Sequence, residues 1–446
     1  MAMAESVIGR FQEAGHELWL VGGALRDRLM GMEATGDLDY TTSALPDEVE
    51  AIGTSLGLNL ITVGKRYGTI GIRVDGDWWE ITTFRGDSYE GGPRWPDVTF
   101  GTSIDEDLAR RDFTVNAIAA DTRTGRMLDP YGGETDIEER RIRAVGDPVT
   151  RYREDPLRIL RGLRFASQLD FEIEEQTLAG MTEAAALLGS LSQERITSEM
   201  DRLLAGQAPG RGLRLLEQTG VLAEVLPEML PAIGCEQNSF HHLDVWGHTI
   251  ATVEAIDAST NRRLRRWAAL MHDVGKPAVR HTKKNGEWGF YRHETAGAEI
   301  TAKVLGRMKM SHRDVQDIVL LVRRHMDRPN VEDPRSVRRF LKKLGGLWAD
   351  SLALKRADNA SHTYDDSDYL DNLERLCAQI VEQDAERLRA ESPLDGNELA
   401  AIFRREPGPW IRTVKERLST GVLEGDLEPG DREGALALAK KVLEAE

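Results

Sequence analysis

Cysteine is scarce: Cys235 and Cys377 are the only two in 446 residues, and they stand far apart. Their number excludes a disulfide scaffold and fits a reducing cytoplasm. No stretch is apolar enough to span a bilayer. Met1–Arg10, a short polar helix candidate, lacks the apolar centre of a signal peptide, so a membrane is not an expected partner. There is no internal repeat and no low-complexity tract. Basic charge is in deficit too: 58 Lys and Arg face 75 Asp and Glu, a formal net charge of −17. Such a chain repels phosphate at long range. It can meet nucleic acid only through local patches, and Arg140–Arg164 is one.

What remains is a soluble globular composition, 40% hydrophobic and 30% charged, long enough for about two to four domains. Up to about residue 148 the chain mixes strand and helix signals. Glu17–Val21 is an apolar strand ending in Gly22-Gly23, and Ala24–Met30 reads as a helix stopped at Gly31. Asp37–Thr41 is a short alternating strand. Gly68–Val74 and Trp78–Phe84 form a hairpin around Asp75-Gly76-Asp77, Ser88–Pro96 is a loop, and Ile104–Arg111 is helical. After Pro148 apolar residues recur every three or four positions, as in Leu157, Leu160 and Leu163, so the rest is helical. Pro227 and Pro231 mark a boundary, and the charged tail breaks at Pro393 and at Pro407-Gly408-Pro409. The expected domains are 1–148, 149–230, 231–362 and 363–446.

Four features of the first half carry chemistry. Gly22 and Gly23, between strand and helix, let the backbone approach phosphate, and the helix N-terminus adds free N–H groups. Arg26 follows one turn on. Alternate residues of a strand share a face, so Asp37 and Asp39 point the same way, an arrangement Mg²⁺ favours alongside substrate phosphates. Glu80 is a candidate third carboxylate. In Arg110-Arg111-Asp112 an Arg–Asp neighbourhood can position a sugar or phosphate. Finally, Pro156 suits a first helical turn, placing Arg158, Arg161 and Arg164 as a basic stripe behind Asp155. An Asp accepts and an Arg donates, so such a pair can read a base edge. The alternatives for single features are an ordinary strand–helix turn, a solvated turn, and helical ion pairs.

The second half concentrates histidine. His248, His272-Asp273, His293, His325 and Asp358 occur in that order, and neutral imidazole with carboxylate suits divalent transition metals. His241, His242, His281, His312 and His362 carry no such argument.

Together the first-half residues resemble the class II tRNA nucleotidyltransferase and poly(A) polymerase family. The segments that carry this are LVGGALRD at 20–27, GDLDYTTSA at 36–44, EITTFR at 80–85, RRDFTVNA at 110–117, DPYGG at 129–133 and EDPLRILRGLRF at 154–165. QERITSEMDRLL at 193–204 and TGVLAEVLPE at 219–228 are also similar. The resemblance implies an α+β fold: a polymerase beta-like mixed sheet with helices, then all-α domains. It implies CCA addition to the tRNA 3′ end from CTP and ATP, with Mg²⁺ on Asp37 and Asp39. Gly22, Gly23 and Arg26 would bind phosphates. Arg111, Asp112, Asp155, Arg158, Arg161 and Arg164 would bind and select the nucleotide. The full-length stretch Arg85–Pro96 argues against a CC-only enzyme, and A-addition alone is the alternative. DNA is not an expected partner, and the oligomeric state is left open.

The histidine pattern, with AALMHDVGKP at 268–277, resembles the HD phosphohydrolase superfamily. This implies metal ligands His248, His272, Asp273 and Asp358, with His293 and His325 holding either a second metal or phosphate. It implies metal-dependent hydrolysis of a phosphate ester, and the alternative is a decayed domain that only supports tRNA. Two readings from other classes remain: an HD hydrolase whose head is a non-catalytic RNA-binding module, and a tRNA-binding protein without catalysis.

Overall fold

The computed structural model describes residues 2–32, 37–88, 97–101, 103–238, 242–257, 261–361, 365–389, 394–424, 426–428 and 430–444. By internal contacts the chain falls into two compact units, 1–325 with 360–363, and 326–359 with 364–446. The positions expected as boundaries at 148 and 230 both lie within the first unit.

The first unit opens on a seven-stranded mixed sheet. Its strands are β1 (Leu18–Val21), β2 (Leu38–Thr42), β3 (Leu60–Ile61), β4 (Thr69–Val74), β5 (Asp77–Thr83), β6 (Ala119–Asp121) and β7 (Met127–Leu128). They lie in the order β3-β4-β5-β2-β1-β6-β7. β1 is buried along its whole length, as a strand covered on both faces must be. The β4–β5 hairpin turns at Asp75 and Gly76, whose φ angles are +51° and +103°. Positive φ at both central residues matches the right-handed twist of the flanking strands. β2 runs antiparallel to β1 but parallel to β5, which sets Asp39 beside Glu80. Trp19, Val21, Phe84, Ile104, Leu108 and Ala119 form a core against this sheet.

The helix expected at Ala24 begins two residues earlier, at Gly22. The two glycines are its first turn and not a separate loop. Arg85–Ser88 and Asp97–Phe100 pair as a small ribbon. Residues 89–96, most of the expected loop, lie outside the described residues, as do His241 and His362.

From Pro148 the first unit is helical. The chain breaks at Asp155 between helices Pro148–Glu154 and Leu157–Leu169, because Pro156 disfavours helical geometry in the residue before it. Helices Gln193–Leu204, Val245–Ala255, Arg262–Met271, His293–Arg307 and His312–Arg324 complete the parts used below. In the second unit, helices Gly396–Phe403, Pro409–Glu424 and Arg432–Glu444 pack around Leu399, Trp410, Val414 and Leu418. The expected break at 407–409 falls between the first two of these. The break expected at Pro393 lies outside the described residues. No described helix is long and apolar enough to cross a membrane. The fold class is the α+β arrangement expected.

Candidate active site and candidate metal centre

A cleft of about 1380 Å³ opens where the sheet meets the helices around Leu157–Leu169. Gly22, Gly23, Arg26, Asp39, Arg111, Asp112, Asp155, Arg158, Arg161 and Arg164 all line it. Asp37 stands exposed just ahead of β2 and is not among the lining residues.

Gly22 explains how the carboxylate side is built. Its φ is +72°, and a Cβ there would lie 2.9 Å from Asp39 Oδ2. The strand-to-helix turn thus fits only because glycine leaves room for the Asp39 side chain. Asp39 titrates above the ordinary carboxylate range: burial raises it most, Arg111 opposes, and Asp37 raises it further. Glu80 is raised as well, first by burial and then by Asp39 and Asp37. Carboxylates that disfavour each other's charge are what a divalent cation relieves, so this set fits one.

The opposite wall is a lattice of arginines, most of them held by an acid. Arg110 and Arg111 donate to the two oxygens of buried Asp107, at 2.7 and 3.1 Å. Burial alone would raise Asp107, yet Arg111 and Arg110 bring it below its usual range. Arg161 Nε donates to Asp112 Oδ2 at 2.6 Å. Burial opposes, but Arg161 and the bonds from Asn116 and Phe113 bring Asp112 to about 2. Arg164 lies 3.2 Å from Glu199 Oε2, and burial depresses it to about 10. Arg26 donates to Asp27 and to Asn116 Oδ1. Arg26, Arg161 and Arg164 also surround the Phe165 ring, at 5.4, 5.5 and 4.2 Å, where its quadrupole favours cations.

Asp155 and Arg158, expected to act as a pair, each have other partners here. Arg195 NH2 donates to both Asp155 oxygens, at 3.1 and 3.0 Å. Arg158 donates to Glu154 Oε2 at 2.7 Å and to the Arg110 carbonyl at 2.8 Å. Asn116, Phe165 and Arg195 also line the cleft, and no role was foreseen for them, although all three lie in the quoted segments.

The histidines converge elsewhere in the first unit. His248, His272, Asp273, His293 and His325 are all at most 6% exposed. Two groups of donor atoms, His248–His272–Asp273 and Asp273–His293–His325, each lie within 4.8 Å. Asp273 belongs to both. Its Oδ2 lies 3.5 Å from His248 Nε2 and 3.2 Å from His272 Nε2, and its Oδ1 lies 3.3 and 3.8 Å from those of His293 and His325. The Nδ1 atoms of His272, His293 and His325 donate to the carbonyls of Ala269, Phe290 and Val322. Ser361 Oγ holds His248 Nδ1 at 2.8 Å. Second partners of this kind fix the ring so that Nε2 presents its lone pair. Lys276 Nζ sits 2.5 Å from Asp273 Oδ2 and donates to Gln237 Oε1. Burial would raise Asp273, but His272 and Lys276 hold it well below the usual range. Gly275 is required here: a Cβ would stand 2.3 Å from the His293 carbonyl. The donor set fits divalent metal on both sides of Asp273. Asp358 stands in helix Trp348–Asn359 of the second unit.

Residues 18–143 match the poly A polymerase head domain, 170–233 the probable RNA and SrmB-binding site of polymerase A, and 240–373 the HD domain. The chain is 34% identical over 427 residues to the A-adding tRNA nucleotidyltransferase of Deinococcus radiodurans, covering 92% of each. It is 31% identical over 426 residues to the CCA-adding enzyme of Geobacillus sp. strain WCH70, covering 95% of this chain and 93% of that one. The chain belongs to the class II tRNA nucleotidyltransferase family. Within that family, the Bacillus stearothermophilus CCA-adding enzyme in complex with CTP superposes with a TM-score of 0.70 at 28% identity. The match covers 100% of this chain and 98% of that one.

Proposed function

We propose that this family member is a CCA-adding enzyme, transferring C, C and A from CTP and ATP to the tRNA 3′ end without a nucleic-acid template. The observation that carries it is the single cleft in which Asp39, seated on Gly22, faces Arg111, Arg161, Arg158 and Asp155. The 3′-hydroxyl of the RNA attacks the α-phosphorus of the nucleotide, and pyrophosphate leaves. Arg26, Arg111 and Arg161 orient and neutralise the triphosphate, and Asp155 and Arg158 select the base. Asp37 and Asp39 would hold Mg²⁺, which when bound activates the attacking hydroxyl and steadies the leaving group. We assign the four-part division at 148, 230 and 362, and a cytoplasmic setting.

The test is incorporation on tRNA ending at the discriminator base, with CTP alone, ATP alone, and both. Two cytidines with CTP and a completed CCA with both are expected. Incorporation of A alone, and only onto tRNA ending in CC, would establish the A-adding reading, which the Deinococcus radiodurans relative's name favours.

The five-residue cluster around Asp273 favours a second activity, metal-dependent hydrolysis of a phosphate ester. A transition metal bound there would supply Lewis acidity, while Ser361 and the backbone carbonyls keep the imidazoles oriented. Its test is hydrolysis of cyclic phosphodiesters and RNA-end phosphates by the full chain with each of several divalent metals.

A further inference from the structure

Helix Pro334–Leu344 carries Arg335, Arg338, Arg339, Lys342 and Lys343 and no acid. The unit that contains it has 19 basic and 25 acidic residues, so this helix stands against its surroundings in sign. Its inner face is apolar: Val337, Phe340 and Leu344 are buried. Arg338 turns toward that side, 3.5 Å from Asp384 with a quarter of its side chain exposed. The other four cations are exposed. The acids near two of them sit beyond hydrogen-bond range. Arg339 is 3.7 Å from Asp333 with its side chain 68% exposed, and Lys343 is 3.8 Å from Asp327 and 50% exposed.

Helix stability does not explain this pattern. Lys342 and Lys343 in the last turn suit the helix dipole, but Arg335 in the first turn opposes it. The pairs 335/339, 338/342 and 339/343 are like charges four apart, which destabilise a helix. The stripe from Arg335 to Lys343 runs about 12 Å, enough for about three phosphates of one strand. Beyond it, Gly345 and Gly346 are exposed, and a Cβ on either would meet nothing within 4 Å. The backbone there is open to a close neighbour.

We propose that this helix face is an RNA-backbone contact, through which the second unit takes hold of tRNA phosphates. The assignment rests on the proposed tRNA substrate and names side chains that are not among those lining the cleft. No base is read here; the contact supplies affinity and position.

The experiment uses the full chain with Arg335, Arg339, Lys342 and Lys343 all changed to Gln, and a second variant exchanging Arg for Lys and Lys for Arg at the same positions. Binding of tRNA lacking CCA is measured by fluorescence anisotropy across a salt series. The Gln variant is expected to bind at least about tenfold more weakly, with a log K against log salt slope shallower by about 2. Its kcat at saturating tRNA and its KM for CTP should be unchanged, and the charge-preserving variant should behave as the parent. If the fourfold change unfolds the protein, Arg335→Gln with Arg339→Gln should give about half the slope change. An unaltered slope overturns the proposal, as does equal weakening in the charge-preserving variant. Loss of binding to anionic phosphatidylserine vesicles with tRNA affinity intact overturns it in favour of a membrane-facing surface. Failure of the parent to bind or extend tRNA would instead strike at the proposed function.

Discussion

Gly22→Ala separates backbone strain from damage to the candidate catalytic carboxylate. Gly22 has a φ of +72°, and its Cβ would fall 2.9 Å from Asp39 Oδ2 and 3.5 Å from Asp39 Cβ. A non-glycine residue in left-handed geometry costs about 1–2 kcal/mol, a fall of a few degrees in thermal midpoint. The carboxylate can rotate away, so the fold survives, but Asp39 then leaves its place beside Asp37 and Glu80. Misplacement of a reacting group by about 1 Å can cost about 100-fold in rate. Gly31→Ala is the matched control, because Gly31 has a φ of +73° and no atom within 4 Å of its Cβ. Both variants should lose similar stability, while nucleotide incorporation should fall about 100-fold in Gly22→Ala and stay near parental in Gly31→Ala. Equal activity in the two would refute the assignment of Asp39.

Other expectations follow from single contacts. Arg195→Ala should leave folding within about 1 kcal/mol, the bridge being partly exposed. It should shift the CTP-to-ATP ratio of kcat/KM about tenfold, about 1.4 kcal/mol, because Asp155 loses the donor that orients it; an unchanged ratio would count against Asp155 as a base reader. Asp273→Asn should abolish metal uptake, read by elemental analysis, and phosphate-ester hydrolysis, with incorporation on tRNA retained. Metal content equal to the parent's would remove Asp273 from the centre. Asp112, brought from 3.8 to about 2 in the folded state, contributes stability present above pH 3.8 and lost as pH falls toward 2. The shift is worth about 2 kcal/mol at pH 7. The stability gap between parent and Asp112→Asn should therefore shrink by roughly half between pH 5 and pH 3 in denaturant titrations. A gap independent of pH would show that Arg161 does not hold the carboxylate as inferred.

Four strands of the sheet, two of them joined in the hairpin, were legible because alternation and Asp75-Gly76 are local signals; β3, β6 and β7, of two or three residues each, are too short to show a period. The Gly22-Gly23 segment was legible as a place but not as a shape: the helix starts on Gly22 itself, at a φ of +72°, where the Asp39 carboxylate occupies the space a side chain would need. Single residues with local motifs, such as Asp39, Arg111 and His272-Asp273, could be chosen from the sequence. Their partners could not. Arg195 reaches Asp155 across 40 positions, Ser361 reaches His248 across 113, and Gln237 reaches Lys276 across 39. Such pairs follow from helix packing, which periodicity along one element does not encode. Asp155 and Arg158 share a motif, yet the chain break at Pro156 turns each toward a different neighbour.

The net charge posed an objection that the structure answers by placement. Nine arginines and four carboxylates line the cleft, so its local sign is opposite to that of the chain. The deepest of these arginines are fixed before any substrate arrives, by Asp107, Asp112, Glu154 and Glu199. Donors already aimed at developing charge need no reorganisation during reaction. Free surface lysines would supply the same charge count without that advantage. The acidic net charge limits association with polyanions at long range, and only a ligand that fits the cleft reaches its positive wall. Specificity for a triphosphate beside an RNA end thus comes from where the few compensated cations sit and not from how many the chain contains.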